Sequence, residues 1–236
     1  MSVVTQAEPA PQPRTPLSRD RVLRAAVGIA DEQGIAALTM RRLADVVGAE
    51  AMSLYYHVSN KEALLDGVAD VILREINDAV DRLDVPSNGP DWKKAVRQRI
   101  LSAREVLLGH PWAPGVFESR TAASPELLRY HDGLIGLMRD GGFSNDLAHH
   151  ALHALGSRAL GFNQELFVPN TGPPSAEEAT AGLESMAAQL PNLVGMLMEV
   201  AHEDPDSTLG WCDDQFEFEF GLDLILDGLD QLRQRA

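Results

Sequence analysis

Along most of the chain, apolar residues return at intervals of three and four, the spacing that puts them on one face of an α-helix. Over 18–34 the stripe is Val22, Ala25, Ala26, Ile29 and Ala30, ended by Gly34. Over 60–83 it is Leu64, Val68, Val71, Ile72, Ile76 and Val80, without a break. Further helices are expected over 91–108 (Trp92, Val96, Ile100, Ala103, Leu107), 124–139 (Leu127, Leu128, Leu134, Ile135, Leu137) and 144–167 (Leu147, Leu152, Leu155, Leu160, Leu166). Shorter ones are expected near 176–189 and 192–202, and a last one over 213–235. Runs rich in Gly, Pro, Ser and Asn at 85–90, 110–115, 141–142 and 169–174 separate them. No alternating β-branched run is long enough for a sheet, so the fold class is all-α.

The last helix carries two stripes. Phe218, Leu222, Ile225, Leu229 and Leu232 form one; Phe216, Phe220 and Leu224 lie roughly opposite. A helix that is apolar on two sides must be covered on both. The second cover is either a partner chain or another part of the same chain.

The stretch 39–66 has a different layout. Thr39 suits an N-cap, and Leu43, Val46 and Val47 give the following short helix a buried face. Gly48 supplies the left-handed conformation that ends it. A second short helix is expected over 50–57, anchored by Leu54 and Val58. Its remaining residues, Ala51, Met52, Ser53, Tyr55, Tyr56 and His57, make a poor core but a good surface for phosphates and base edges. Ser59 and Glu62 read as a capping box for the next helix. Lys61 then sits where charge and helix dipole both favour a phosphate. This is the order of a helix-turn-helix, with Arg41 and Arg42 at the groove edge.

The segment 17–73 resembles the DNA-binding domain of the tetracycline-repressor family, through VLRAAVGIADEQGIAALTMRRLA and VGAEAMSLYYHVSNKEALLD. The end of the chain, FEFGLDLILDGLDQL, is similar to the last helix of that family's tetracycline-repressor-like branch. The resemblance implies a bacterial, homodimeric repressor released from a palindromic operator by a small-molecule ligand. It implies a helix-turn-helix domain over 17–65 and a ligand-binding and dimerisation domain over 66–236; residues 1–16, with Pro9, Pro11, Pro13 and Pro16 and no apolar periodicity, read as a disordered arm. The 144–167 and 213–235 helices would pair with their symmetry mates as a four-helix bundle. The 60–83 helix would carry ligand-induced tilt to the DNA-binding domain. At the start of the recognition helix, Ala51-Met52-Ser53 stands where tetracycline-type members carry Gln-Pro-Thr, so a different operator is expected. Carried over by position, the ligand-binding residues are Asn77, Arg99, Phe117, His131, Leu134 and Glu165. Phe117 falls where those members place a magnesium-binding histidine, so a magnesium–tetracycline ligand is not expected.

Charge sharpens this picture. The net formal charge is −15, yet residues 1–61 carry +1 and the rest −16. Only the N-terminal module can therefore face a polyanion. Cys212 is the single cysteine, which rules out an intrachain disulfide. No apolar run reaches membrane-spanning length and no basic-plus-apolar leader is seen, so a cytoplasmic protein is expected. Nucleotide-binding and hydrolase fingerprints are missing, so no catalytic residues and no cofactor are expected. His149 and His153 lie four apart as two metal ligands would, but within HHALH they have no zincin-type glutamate, and no metal site is assigned. Two alternatives remain at this point: a DNA-binding dimer without a ligand site, and a His-dependent metalloenzyme.

Overall fold

The computed structural model describes residues 16–84, 89–121, 123–161, 186–187, 189–200 and 214–235. Among these, no residue is in a strand. The helices are α1 (Arg19–Gln33), α2 (Met40–Val47), α3 (Ala51–Leu54), α4 (Lys61–Asp81), α5 (Trp92–Gly109), α6 (Ala113–Glu118), α7 (Pro125–Asp140), α8 (Asn145–Gly161), α9 (Pro191–Val200) and α10 (Asp214–Arg235). Short 3-10 turns occupy Ile35–Ala37 and Gly89–Asp91. The expected arm over 1–16 falls almost wholly outside the described residues, and the 162–185 and 201–213 stretches fall entirely outside them.

The chain divides into two compact units. The first is Met1–Glu75 with Gly109–Ala122; the second is Ile76–Leu108 with Ala123–Ala236. The division runs through the continuous helix α4.

In the first unit, α1, α2, α3 and the start of α4 close round one core. Val22, Leu23, Ala26, Leu38, Leu43, Leu54, Val58, Leu64 and Val68 are buried there. Gly67 lets α1 approach α4, because a Cβ at this position would lie 2.5 Å from Leu23 Cδ2. The ends are fixed by side chains. Ser18 Oγ accepts from Arg21 N at 3.2 Å, and Thr39 Oγ1 from Arg42 N at 3.2 Å. Gly48 takes φ 68°, ψ 40°, the left-handed conformation expected of it.

In the second unit, Trp92, Val96 and Ile100 of α5 pack with Leu134 and Met138 of α7, Ala148, Ala151 and Leu155 of α8, and Phe218, Leu222, Leu226 and Leu229 of α10. Trp92 meets Phe143 edge to face, with centroids 4.6 Å apart. Ion pairs seal the α5–α10 seam: Arg97 to Asp223 (2.7 Å) and Glu219 (2.6 Å), and Lys93 to Asp227.

Several details differ from the sequence expectation. Val46 is 58% exposed and does not join the core; Leu43, Ala44 and Val47 form the buried face of α2. On α7, Leu128 is exposed and Met138 takes a core place. On α10, Leu232 is exposed and Leu226 is buried. The expected break over 110–115 contains the start of α6, because Pro114 sits in the first turn, where a missing N–H costs nothing. Ser59 does not cap α4. Instead Asn60 Oδ1 accepts from Ala63 N at 2.8 Å.

Candidate nucleic-acid interface

The recognition element is shorter than the 50–57 expected. Only Ala51–Leu54 is helical, its N-cap Glu50 makes no side-chain capping bond, and residues 55–57 form a turn. Two bonds to one carbonyl close that turn: His57 N and Val58 N both donate to Leu54 O, at 2.8 and 2.9 Å. Tertiary anchoring must therefore hold it, since one turn of helix is too short to persist alone. Leu54 and Val58 are that anchor, both essentially inaccessible.

With those two side chains pointing inward, their neighbours are forced outward. Met52 is 73% exposed, Tyr56 is 91% exposed and Tyr55 is also exposed. Ala51, Ser53 and His57 are half-buried; Arg41, Arg42 and Lys61 are exposed. The first unit thus carries all nine expected DNA-binding residues on α2, α3, the turn over 55–57 and the first turn of α4. Arg41, Arg42 and Lys61 take part in no described ion pair. Arg21 is used differently: its Nη2 donates to Val47 O at 3.0 Å, which ties α1 to the C-terminal end of α2 where partial negative charge gathers.

A second feature of this unit was not legible in the sequence. The segment Gly109–Ala122 packs within it by polar contacts. Asp31 Oδ1 accepts from Trp112 Nε1 at 2.7 Å and lies 2.7 Å from His110 Nδ1. His110 Nε2 lies 3.2 Å from Glu75 Oε2. Arg120 Nη1 donates to Glu62 (2.8 Å) and Asp66 (3.1 Å) on α4. Glu62, expected to complete a capping box, is spent on this contact. No periodicity announces such pairings, because each partner lies tens of residues away.

The expected ligand residues fall in different places. Phe117 is half-buried on α6 in the first unit. Glu165 lies outside the described residues. The other four belong to the second unit. Asn77 is 1% exposed, and its Nδ2 donates at 3.0 Å to both the backbone O and Oε2 of Glu126. Leu134 is part of the hydrophobic core. Arg99 and His131 are half-buried, and burial lowers the pKa of each. The second unit also has an open cleft of about 380 Å³, lined by Leu83, Gln98, Leu101, Ser102, Glu105 and Gln215 among others. None of the expected ligand residues lines it. On α8, the exposed rings of His149 and His153 meet edge to face at 4.7 Å. Among the described residues no group of three His, Cys, Asp or Glu could hold a metal ion.

A helix-turn-helix unit with a bare tyrosine-rich recognition turn, followed by a larger helical unit, defines the class of one-component DNA-binding regulators. The comparisons with known proteins agree. Residues 22–68 match the model of bacterial regulatory proteins of the tetR family, and residues 85–233 match that of the tetracyclin repressor-like C-terminal domain. The chain belongs to the tetracycline-repressor (TetR) family of transcriptional regulators. It is 30% identical over 233 residues to the HTH-type transcriptional repressor DrrR1 of Streptomyces coeruleorubidus, covering 97% of this chain and 83% of that one. It is 37% identical over 127 residues to an HTH-type transcriptional regulator of Saccharopolyspora erythraea, a match that spans 54% of this chain and 51% of the relative. ActR from Streptomyces coelicolor has a similar structure, at 29% identity. The TM-score is 0.72 for the apo form (94% of this chain, 99% of that one) and 0.71 for the complex with actinorhodin (93% and 99%).

Proposed function

We propose that the protein is a cytoplasmic, homodimeric repressor that docks two copies of α3 on a palindromic operator and is released by a small molecule held in the second unit. The observation that carries the DNA-binding half is the outward set Met52, Tyr55, Tyr56, Arg41, Arg42 and Lys61, built over a buried Leu54–Val58 anchor. Phenol and cationic groups on a firm backing position phosphates. Ala51, Met52 and Ser53 offer base edges little beyond apolar contact and one hydroxyl. The readout is therefore distinct from that of a Gln-Pro-Thr recognition helix.

Dimerisation is supported by α10. Phe218, Leu222 and Leu226 are buried, while Phe216, Phe220 and Leu224 on the opposite side are exposed. A second copy, joined through this face and α8, buries them. The release half rests on the likeness to ActR, which was solved with actinorhodin, and on the half-buried Arg99 and His131 between α5 and α7. α4 links the two functions, since one unbroken helix runs from Lys61 to Asp81. A tilt of this helix in each protomer alters the separation of the two recognition turns. A coupling of about 1–3 kcal/mol then weakens DNA binding by roughly 5- to 150-fold. No catalytic step is part of this reading.

Selection of binding sites from random duplex DNA tests it. The expected result is a palindromic consensus that differs from the tetracycline operator. Recovery of the tetracycline operator as the best site, or of no specific site, would overturn it.

A further inference from the structure

Three arginines of the second unit meet acids on neighbouring turns or helices. Arg97 meets Asp223 and Glu219, Arg129 meets Asp81, and Arg233 meets Asp230. Arg99 meets no carboxylate among the described residues. Its guanidinium lies against α7 instead. Nη2 donates to Tyr130 O at 3.3 Å, and the central carbon sits 5.0 Å from the Tyr130 ring centroid. Nε is shielded from solvent and has no hydrogen-bond partner. Position 133 is what admits the group, because a Cβ there would lie 2.5 Å from Nη2.

The neighbours do not neutralise this charge. Burial pushes the Tyr130 hydroxyl up to about 12, so it stays protonated and cannot serve as a counter-ion. Burial lowers the pKa of His131, which disfavours a second cation beside it but supplies no anion. Asp81, whose charge acts on Arg99, is already paired with Arg129. A half-buried guanidinium with an idle N–H is a costly arrangement unless something pairs with it. Its planar fork matches the two oxygens of a carboxylate.

We propose that Arg99 is the anchor for an organic carboxylate, so that the regulator's ligand is an acid whose charged end sits on the α5–α7 seam. This rests on the ligand-release reading above and names the ligand's chemical class.

The test uses 1-naphthoate as probe and 1-naphthalenemethanol as its uncharged counterpart, titrated by calorimetry into the full chain and into Arg99→Met and Arg99→Lys. Naphthoate is expected to bind about tenfold more tightly than the alcohol, the scale of one charge-assisted hydrogen-bonded contact. Arg99→Met should erase that difference. Arg99→Lys should keep part of it, since the charge remains and the fork is lost. Equal affinities in the wild type, no naphthoate binding, or an unchanged preference in Arg99→Met would each overturn the proposal. Should Arg99→Met fail to fold, Arg99→Gln, which keeps an N–H donor without charge, takes its place. The same preparations are assayed on a random duplex pool. DNA binding without naphthoate binding refutes the anchor alone, whereas loss of DNA binding in the wild type refutes the regulator reading.

Discussion

Two of the apolar surfaces exposed among the described residues differ in what surrounds them. On α3 and its closing turn, Met52, Tyr55 and Tyr56 project beside Arg41, Arg42 and Lys61. On α10, Phe216, Phe220 and Leu224 project from a helix rich in acids, among which Glu219, Asp223 and Asp227 are drawn back to α5 by Arg97 and Lys93. The first surface has phenol hydroxyls and free cations, and suits a wet, polyanionic partner. The second has no polar tips, so only a dry protein contact covers it well. Exposure alone does not separate the two uses. The hydrogen-bonding capacity and the sign of the neighbouring charge do.

The largest expected effect comes from undermining the first surface from behind. Leu54→Ala removes a fully buried anchor and should destabilise the first unit by about 2–5 kcal/mol. DNA binding should vanish while sedimentation still reports a dimer, because the α10 face is untouched. Next comes a crossed pair. Phe220→Asp should give a single-chain sedimentation coefficient and weaken operator binding by about 100-fold, through loss of two-site docking. Tyr56→Asp should leave the dimer intact and abolish DNA binding by adding a negative charge at the duplex. If both variants lose both properties, the two surfaces are not separate in function.

A smaller effect sharpens the reading of the first surface. Lys61→Ala should weaken binding about equally on all sequences and lower the slope of log affinity against log salt by about one. A changed sequence preference at an unchanged slope would make Lys61 a base reader. The smallest effect belongs to the second unit. His131 has a folded pKa below its ordinary 6.5 because burial disfavours its charged form. Between that lowered value and 6.5 the unfolded chain binds the proton first, so stability should fall as pH drops below about 6.5. A melting series from about pH 7.5 to about 5.5 should show a shallower decline in His131→Gln than in the wild type.

The helices were largely legible in the sequence because burial of one face imposes a period. The α1 stripe, the αL stop at Gly48 and the two faces of α10 all rest on such local rules. The errors arise where tertiary context chooses between equals. Val46 and Val47 are chemically alike, yet only Val47 turns inward; Leu232 continued the pattern of α10, yet Leu226 fills the core place. Ser59 and Asn60 were both able to cap α4; Asn60 does so, while Glu62 meets Arg120. For the site, the outward residues of α3 followed from which two had to be anchors. The His110–Asp31–Glu75 contacts did not, because pairing across such separations leaves no periodic trace. The unpaired state of Arg99 is likewise visible only once α7 is laid against α5.

In the proposed repressor, two copies of the recognition turn, joined through the α10 face, must dock at once. Half-sites of a helix-turn-helix dimer are spaced by whole turns of the duplex. The most direct measurement takes the palindrome recovered by selection and inserts about 5 base pairs, roughly half a turn, between its halves. Fluorescence anisotropy then compares the two duplexes at one salt concentration. The affinity for the expanded duplex should collapse to that of an isolated half-site. An affinity equal to that of the unmodified palindrome would contradict the account.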